Sequence, residues 1–130
     1  MRAGMEGGGG VDYCVHVEYV CILFSGSPRY FTWDTAKFPS SVAMQDKLAA
    51  KGRKMVTIID PHIKRDGNYH IHKEAESSDV YVKQADGGGA YEGWCWPGSS
   101  SWIDFLSPAN RQWWAEQFSP DKYQVSIFCC

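Results

Sequence analysis

Apolar residues along this chain fall into short runs divided by Gly, Ser, Asp and Pro. Residues 12–24 (DYCVHVEYVCILF) are rich in Val, Tyr and Ile and predict a strand, with a turn over 25–28. Residues 30–33 are aromatic and short, which predicts a strand end or a packed loop. Pro39 then opens a helix in which Ser40 or Ser41 can cap the free amides. Met44 and Leu48 stand at i, i+4 in it, with Val42 and Ala49 nearby on the inner side. Lys47 and Lys51 suit the C-terminal end of its dipole, and Gly52 suits the position just past the end. Residues 55–59 (MVTII) form a near-continuous apolar run. Such a run predicts a strand buried on both faces, the habit of parallel sheets. Asp60, Pro61 and His62 end it.

Further along, residues 69–76 predict a second, shorter helix and 80–83 a strand. Residues 86–89 predict a turn, 91–96 (YEGWCW) a strand and 97–101 a loop. Ser107 as N-cap and Pro108 at the first helical position start a helix that runs to about residue 118. Trp113, Trp114 and Phe118 give it apolar bulk, and Pro120 stops it. Residues 1–10 are Gly-rich and predict disorder. There is no internal repeat. Helix followed by a parallel-type strand predicts an α/β layout. The predicted strand exits carry polar or aromatic residues, as on the active face of a (β/α)8 barrel.

Composition narrows the function classes. With 44% hydrophobic and 22% charged residues in 130, the chain is globular and fits one domain. A formal net charge of -2 gives no basic field for nucleic acid. Six Trp and seven Tyr are many for this length. Such rings fill cores and also stack on sugar faces. Cys14, Cys21, Cys95, Cys129 and Cys130 are odd in number and irregularly spaced, which predicts unpaired thiols. No apolar run approaches the roughly 20 residues of a membrane span, and no basic n-region with a cleavage site marks a signal peptide.

Asp60 is the most informative single residue. At the C-terminal end of a buried barrel strand, its carboxylate can accept two sugar hydroxyls at once. An Asp-Pro that simply turns the chain is the competing explanation. Trp94 and Trp96 alternate around Cys95, ahead of a Pro-Gly turn. They fit two core tryptophans first and a sugar platform second. His70 and His72 are two apart, which suits a strand face and not a helix face, and with His62 they form no recognisable metal set. The Gly runs lack a P-loop lysine, and no nucleophile triad motif occurs. Nothing here implies a cofactor.

Several segments together resemble glycoside hydrolase family 31. They are RYFTWD with the following FP, KMVTIIDPHIKRD, YVK, YEGWCWPGSSSWIDFLSP and RQWWAEQFS, in the order and spacing of that family. The likeness covers about residues 29–123. It is nearest to the endoplasmic-reticulum enzymes that trim glucose from N-linked glycans, with KLAAKGRKMVTIIDPHIKRD plant-like within that group. The resemblance implies a partial (β/α)8 TIM barrel, the first few βα units of an α-glucosidase. It implies that Asp60 binds sugar hydroxyls in the −1 subsite, that Ile58 walls the same subsite, and that Trp96 is an aromatic of the pocket. The implied substrate is an α-glucoside or a glucosylated N-glycan, and the implied partner is the β subunit found with these enzymes. No nucleic acid or membrane enters, and the implied location is the endoplasmic-reticulum lumen.

The departures are equally specific. Retaining enzymes of this kind need two carboxylates about 5–5.5 Å apart. The family's nucleophile is the Asp of a W-x-D-M-N-E motif, and no such motif occurs here, where the chain ends in VSIFCC. The first segment does not match the family's upstream strand, so Asp12 and Glu18 are not promoted to catalysis. The expected organisation is a non-family segment over 1–28, a barrel fragment over 29–123 and a non-family tail over 124–130, as in a truncated product. Such a chain has no catalytic residue of its own and is expected to be inactive alone. The competing expectations are a weak, non-catalytic sugar-binding fragment and a product that does not fold stably.

Overall fold

The computed structural model describes residues 29–53, 55 and 57–123. The strand expected over 12–24, the turn over 25–28 and the tail over 124–130 lie outside the described residues. The element order is α1 (Ser41–Ala49), β1 (His62–Lys64), α2 (His70–Ser77), β2 (Gly93–Cys95), β3 (Gly98–Trp102) and α3 (Pro108–Glu116).

Local chemistry sets the helix ends. The Ser40 hydroxyl accepts from the Ala43 amide at 3.2 Å and the Ser107 hydroxyl from the Asn110 amide at 3.4 Å. Pro108 occupies the first turn of α3. Gly52 takes φ 67 just past α1, a left-handed conformation that glycine adopts without steric cost. Val42 and Ala49 are exposed on α1, so its inner side is narrower than the sequence pattern predicts. Met44 and Leu48 are half-buried, as that pattern expects.

The sheet differs from expectation. The three strands pair antiparallel in the order β1-β3-β2. Residues 55 and 57–59 lie outside any strand, and the strand begins instead at His62. A parallel strand needs a parallel neighbour to receive its amides. Among the described residues that run has none, while His62, Ile63 and Lys64 face Trp102, Ser101 and Ser100 across an antiparallel ladder. Residues 97–101, expected as a loop, supply most of the central strand. A two-residue turn of Trp96 and Pro97 joins Cys95 to its partner Gly98, whose φ of 102 suits glycine. Serines favour turns by propensity. Here the Ser100 hydroxyl donates to the Gly98 carbonyl at 3.0 Å and the Ser101 hydroxyl to the Tyr91 carbonyl at 2.7 Å. Those bonds let both side chains be fully buried. Residues 80–83 contribute isolated bridges, Tyr81 to Ile103 and Lys83 to Ala90, rather than a full strand.

Ile63, Tyr69, Ile71, Ala75, Val80, Tyr81, Ile103 and Trp113 are buried together with Tyr30, Phe31 and Tyr123. Arg65 leaves β1 to donate to the Ser101 hydroxyl at 2.8 Å and to pair with Glu76 of α2 at 3.3 Å. His70 and His72 lie on α2, inside the helix expected over 69–76, and their spacing of two puts them on different faces. His72 is buried with its Nδ1 2.9 Å from the Tyr81 hydroxyl, and His70 is exposed. No helix among the described residues is long and apolar enough to cross a membrane.

Two buried histidines make stability depend on pH. Burial lowers the pKa of His62, opposed by the Asp60 charge. Burial likewise lowers that of His72, with Glu76 raising it, Arg65 lowering it and Asp66 raising it. The unfolded chain therefore binds protons at these positions before the folded chain does, starting near the ordinary value of 6.5. Stability is full above that pH and falls as pH drops from there through the lowered folded values. A second loss follows in stronger acid, where Asp66, held low by the Asn68 amide and Arg29, takes up its proton. The expected result is a melting temperature that declines from neutral pH toward pH 5. A melting temperature that rises over that interval would contradict the assignment of neutral buried imidazoles.

Candidate functional site

Asp60 and Trp96 belong to separate segments, and two buried side chains tie them together. The Tyr30 hydroxyl donates to the Asp60 carboxylate at 2.8 Å. The same hydroxyl lies 2.9 Å from His62 Nε2. The Trp96 indole N–H donates to that same His62 Nε2. His62 Nε2 and the Asp60 carboxylate are 3.9 Å apart.

The local structure explains the arrangement. Tyr30 lies in a tight aromatic loop whose next residue, Phe31, has φ 57. The loop is fastened from below, because the buried Tyr69 hydroxyl donates to the Tyr30 carbonyl at 2.7 Å. Burial pushes the Tyr69 phenol far above its usual range, so it remains a donor at any ordinary pH. Arg29 also pairs with Asp66 beyond β1. His62 is the first residue of β1, opposite Trp102. Trp96 projects from the β2–β3 turn toward it, ring centroids 6.1 Å apart and edge-on.

Burial divides the group into a base and a rim. Tyr30 and His62 are 6% and 7% exposed, whereas Trp96 is 52% exposed and Ile58 38%. The Asp60 side chain is 39% exposed. A carboxylate can accept about four hydrogen bonds, and Tyr30 takes one here. What remains is an acceptor beside an exposed indole face, a pairing that suits a polyol with one apolar face. Trp94 is 84% exposed on β2 and joins the same surface-rich stretch, so it is no core tryptophan.

Of the three residues singled out by sequence, Asp60 and Trp96 are brought together. Ile58 stands two positions upstream of Asp60, exposed. Asp60 itself precedes β1 rather than ending a strand. Sequence reasoning missed Tyr30 and gave His62 no role beyond a discarded metal set. The Asp-Pro-His spacing was the available signal, since i and i+2 share one side of an extended segment. Nothing in the sequence alone pointed to Tyr30, 30 positions from the carboxylate it holds. Among the described residues no group of three or more His, Cys, Asp or Glu side chains is arranged to hold a metal ion.

Comparison with known proteins identifies the family. Residues 12–130 match the glycosyl hydrolases family 31 TIM-barrel domain. The chain is 59% identical over 110 residues to neutral alpha-glucosidase AB of Dictyostelium discoideum, covering 85% of this chain and 12% of that protein. It is 61% identical over 112 residues to the probable glucan 1,3-alpha-glucosidase of Arabidopsis thaliana, covering 86% of this chain and 12% of that one. Among solved structures it is similar to the ER glucosidase II heterodimeric complex of a catalytic subunit with the binding domain of the regulatory subunit. That likeness has a TM-score of 0.70 at 50% identity over 77% of this chain and 11% of the other. The chain thus spans about 12% of the length of the curated relatives it matches.

Proposed function

The chain belongs to glycoside hydrolase family 31, and on that premise we propose that residues 29–123 are the first few βα units of its catalytic barrel, carrying one wall of the glucosyl pocket. Asp60 accepts hydroxyls of the sugar whose bond is cleaved, Trp96 covers its apolar face and Ile58 lines the same subsite. The observation that carries this reading is the rim of Asp60 and Trp96 held from beneath by buried Tyr30 and His62. The intact enzyme would remove α-linked glucose from N-glycans in the endoplasmic-reticulum lumen, assembled with the glucosidase II β subunit. It would act by double displacement through a glucosyl-enzyme intermediate. The similarity to an ER glucosidase II complex supports that placement.

The 130-residue chain by itself then has recognition groups without a catalytic pair. It is expected to show no turnover of a chromogenic α-glucoside. Its contact with glucose or maltose should be millimolar at best, since most of the pocket comes from elsewhere. Turnover that disappears in Asp60→Ala would overturn this division of labour.

The decisive test is a segment exchange. Residues 29–123 replace the matching segment of the Dictyostelium relative, and hydrolysis of an α-glucoside is measured. Retained hydrolysis is the expected result. A folded, soluble chimera without activity would count against the proposed role.

A further inference from the structure

We propose that His62 is a positioning residue for the Trp96 indole, holding it through Nε2 only while the imidazole is neutral, and that protonation turns the same nitrogen toward Tyr30 and frees the indole. The argument is an accounting of protons. An indole N–H can only donate, so the His62 Nε2 it meets must present its lone pair. The imidazole is then neutral with its proton on Nδ1. Tyr30 has one proton, and it goes to the Asp60 carboxylate at 2.8 Å.

Protonation of His62 rearranges this set without adding any new group. Nε2–H then donates to the Tyr30 oxygen at 2.9 Å, and Tyr30 continues to donate to Asp60. The chain runs from cation to anion and is strengthened at both ends. The Trp96 N–H now meets another N–H, and one side must move. Tyr30 and His62 are buried, while Trp96 is half-exposed at the tip of a two-residue turn, so the indole is the side with room. Among the described residues, the titratable groups facing His62 are Asp60, from the segment before β1, and Tyr30, from the aromatic loop. The uncharged rings of Trp96 and Trp102 also lie against it. Burial lowers the imidazole's pKa and Asp60 opposes that, which puts the changeover below the ordinary 6.5.

The effect on sugar contact rests on the pocket reading given above; the coupling of indole to imidazole does not. The test uses the full 130-residue chain labelled with nitrogen-15. Its Trp96 indole signal, assigned with Trp96→Phe, is followed from about pH 8 to about pH 5. The expected result is an indole proton shift that moves with the same midpoint as the His62 ring proton. His62→Gln, which keeps an acceptor that does not titrate, should hold the neutral-pH shift throughout. His62→Phe should lose it at every pH. An indole signal that stays fixed while His62 titrates, or that is unchanged in His62→Phe, overturns the proposal. The wild-type titration needs no variant, and the comparison of the two variants at neutral pH needs no acid.

Glucose titration supplies the second readout. Affinity is expected to fall about tenfold as His62 is protonated, and to stay level in His62→Gln. Glucose affinity that stays level with pH while the indole is released would refute the indole's part in sugar contact and leave the positioning role standing. Glucose contact that is independent of pH in a chain whose indole is uncoupled would refute the positioning role alone.

Discussion

Replacing Phe31 with alanine is expected to destabilise the chain by about 3–5 kcal/mol. The Phe31 ring is buried and meets three others edge-on. Centroid distances are 5.4 Å to Trp114, 5.0 Å to Phe118 and 5.3 Å to Tyr123. Edge-to-face pairs are worth about 0.5–1.5 kcal/mol each beyond the area they bury. The same residue sits at φ 57, where a side chain costs about 1–2 kcal/mol relative to glycine. The packing therefore offsets a backbone cost, and Phe31→Ala keeps the cost while losing the packing. Phe31→Gly removes both and should be about 1 kcal/mol less damaging than the alanine variant. Domains of this size are stable by about 5–15 kcal/mol, so either change removes a large share. Denaturant unfolding of the three proteins measures the order. Equal stability of the wild type and the alanine variant would show that the ring cluster does not hold the loop.

In the segment-exchange chimera, Asp60→Ala is expected to lower kcat/KM for an α-glucoside by about 10²–10³-fold. On the proposed role, the carboxylate's charge-assisted bonds to sugar hydroxyls would strengthen as the ring distorts toward the transition state. Their removal should then act on kcat as well as KM. Asp60→Ala also removes one hydrogen-bond partner of the Tyr30 hydroxyl, so Tyr30→Phe is the control. It keeps Asp60 but removes the bond that orients it, and should cost about tenfold. A chimera in which Asp60→Ala costs no more than Tyr30→Phe would assign Asp60 a structural role only.

Legibility followed the kind of signal involved. Caps with a local mechanism were readable, as Ser40 and Ser107 show, because each needs only its own next few residues. The strand over 55–59 was misplaced because an apolar run states that a segment wants burial and not what will pair with it. The serine-rich strand β3 was hidden for the opposite reason. Its fitness for the sheet comes from the Tyr91 carbonyl, across the hairpin, and from Arg65, 36 positions away. Asp60 and Trp96 were singled out through their motifs, and their joining was not legible. It depends on the Tyr30 hydroxyl, which the Phe31 and Tyr69 contacts deliver across the fold.

The central position of β3 also carries a timetable. Its pairing with β2 closes a two-residue turn, a local event on the microsecond scale. Its pairing with β1 joins His62 to Trp102 and must first bring together the whole intervening stretch, α2 included. The hairpin should therefore form early and wait, with its serine edge open to water, until β1 docks. Docking β1 also delivers His62 to Trp96, so the rim of Asp60 and Trp96 should be among the last features to assemble during folding.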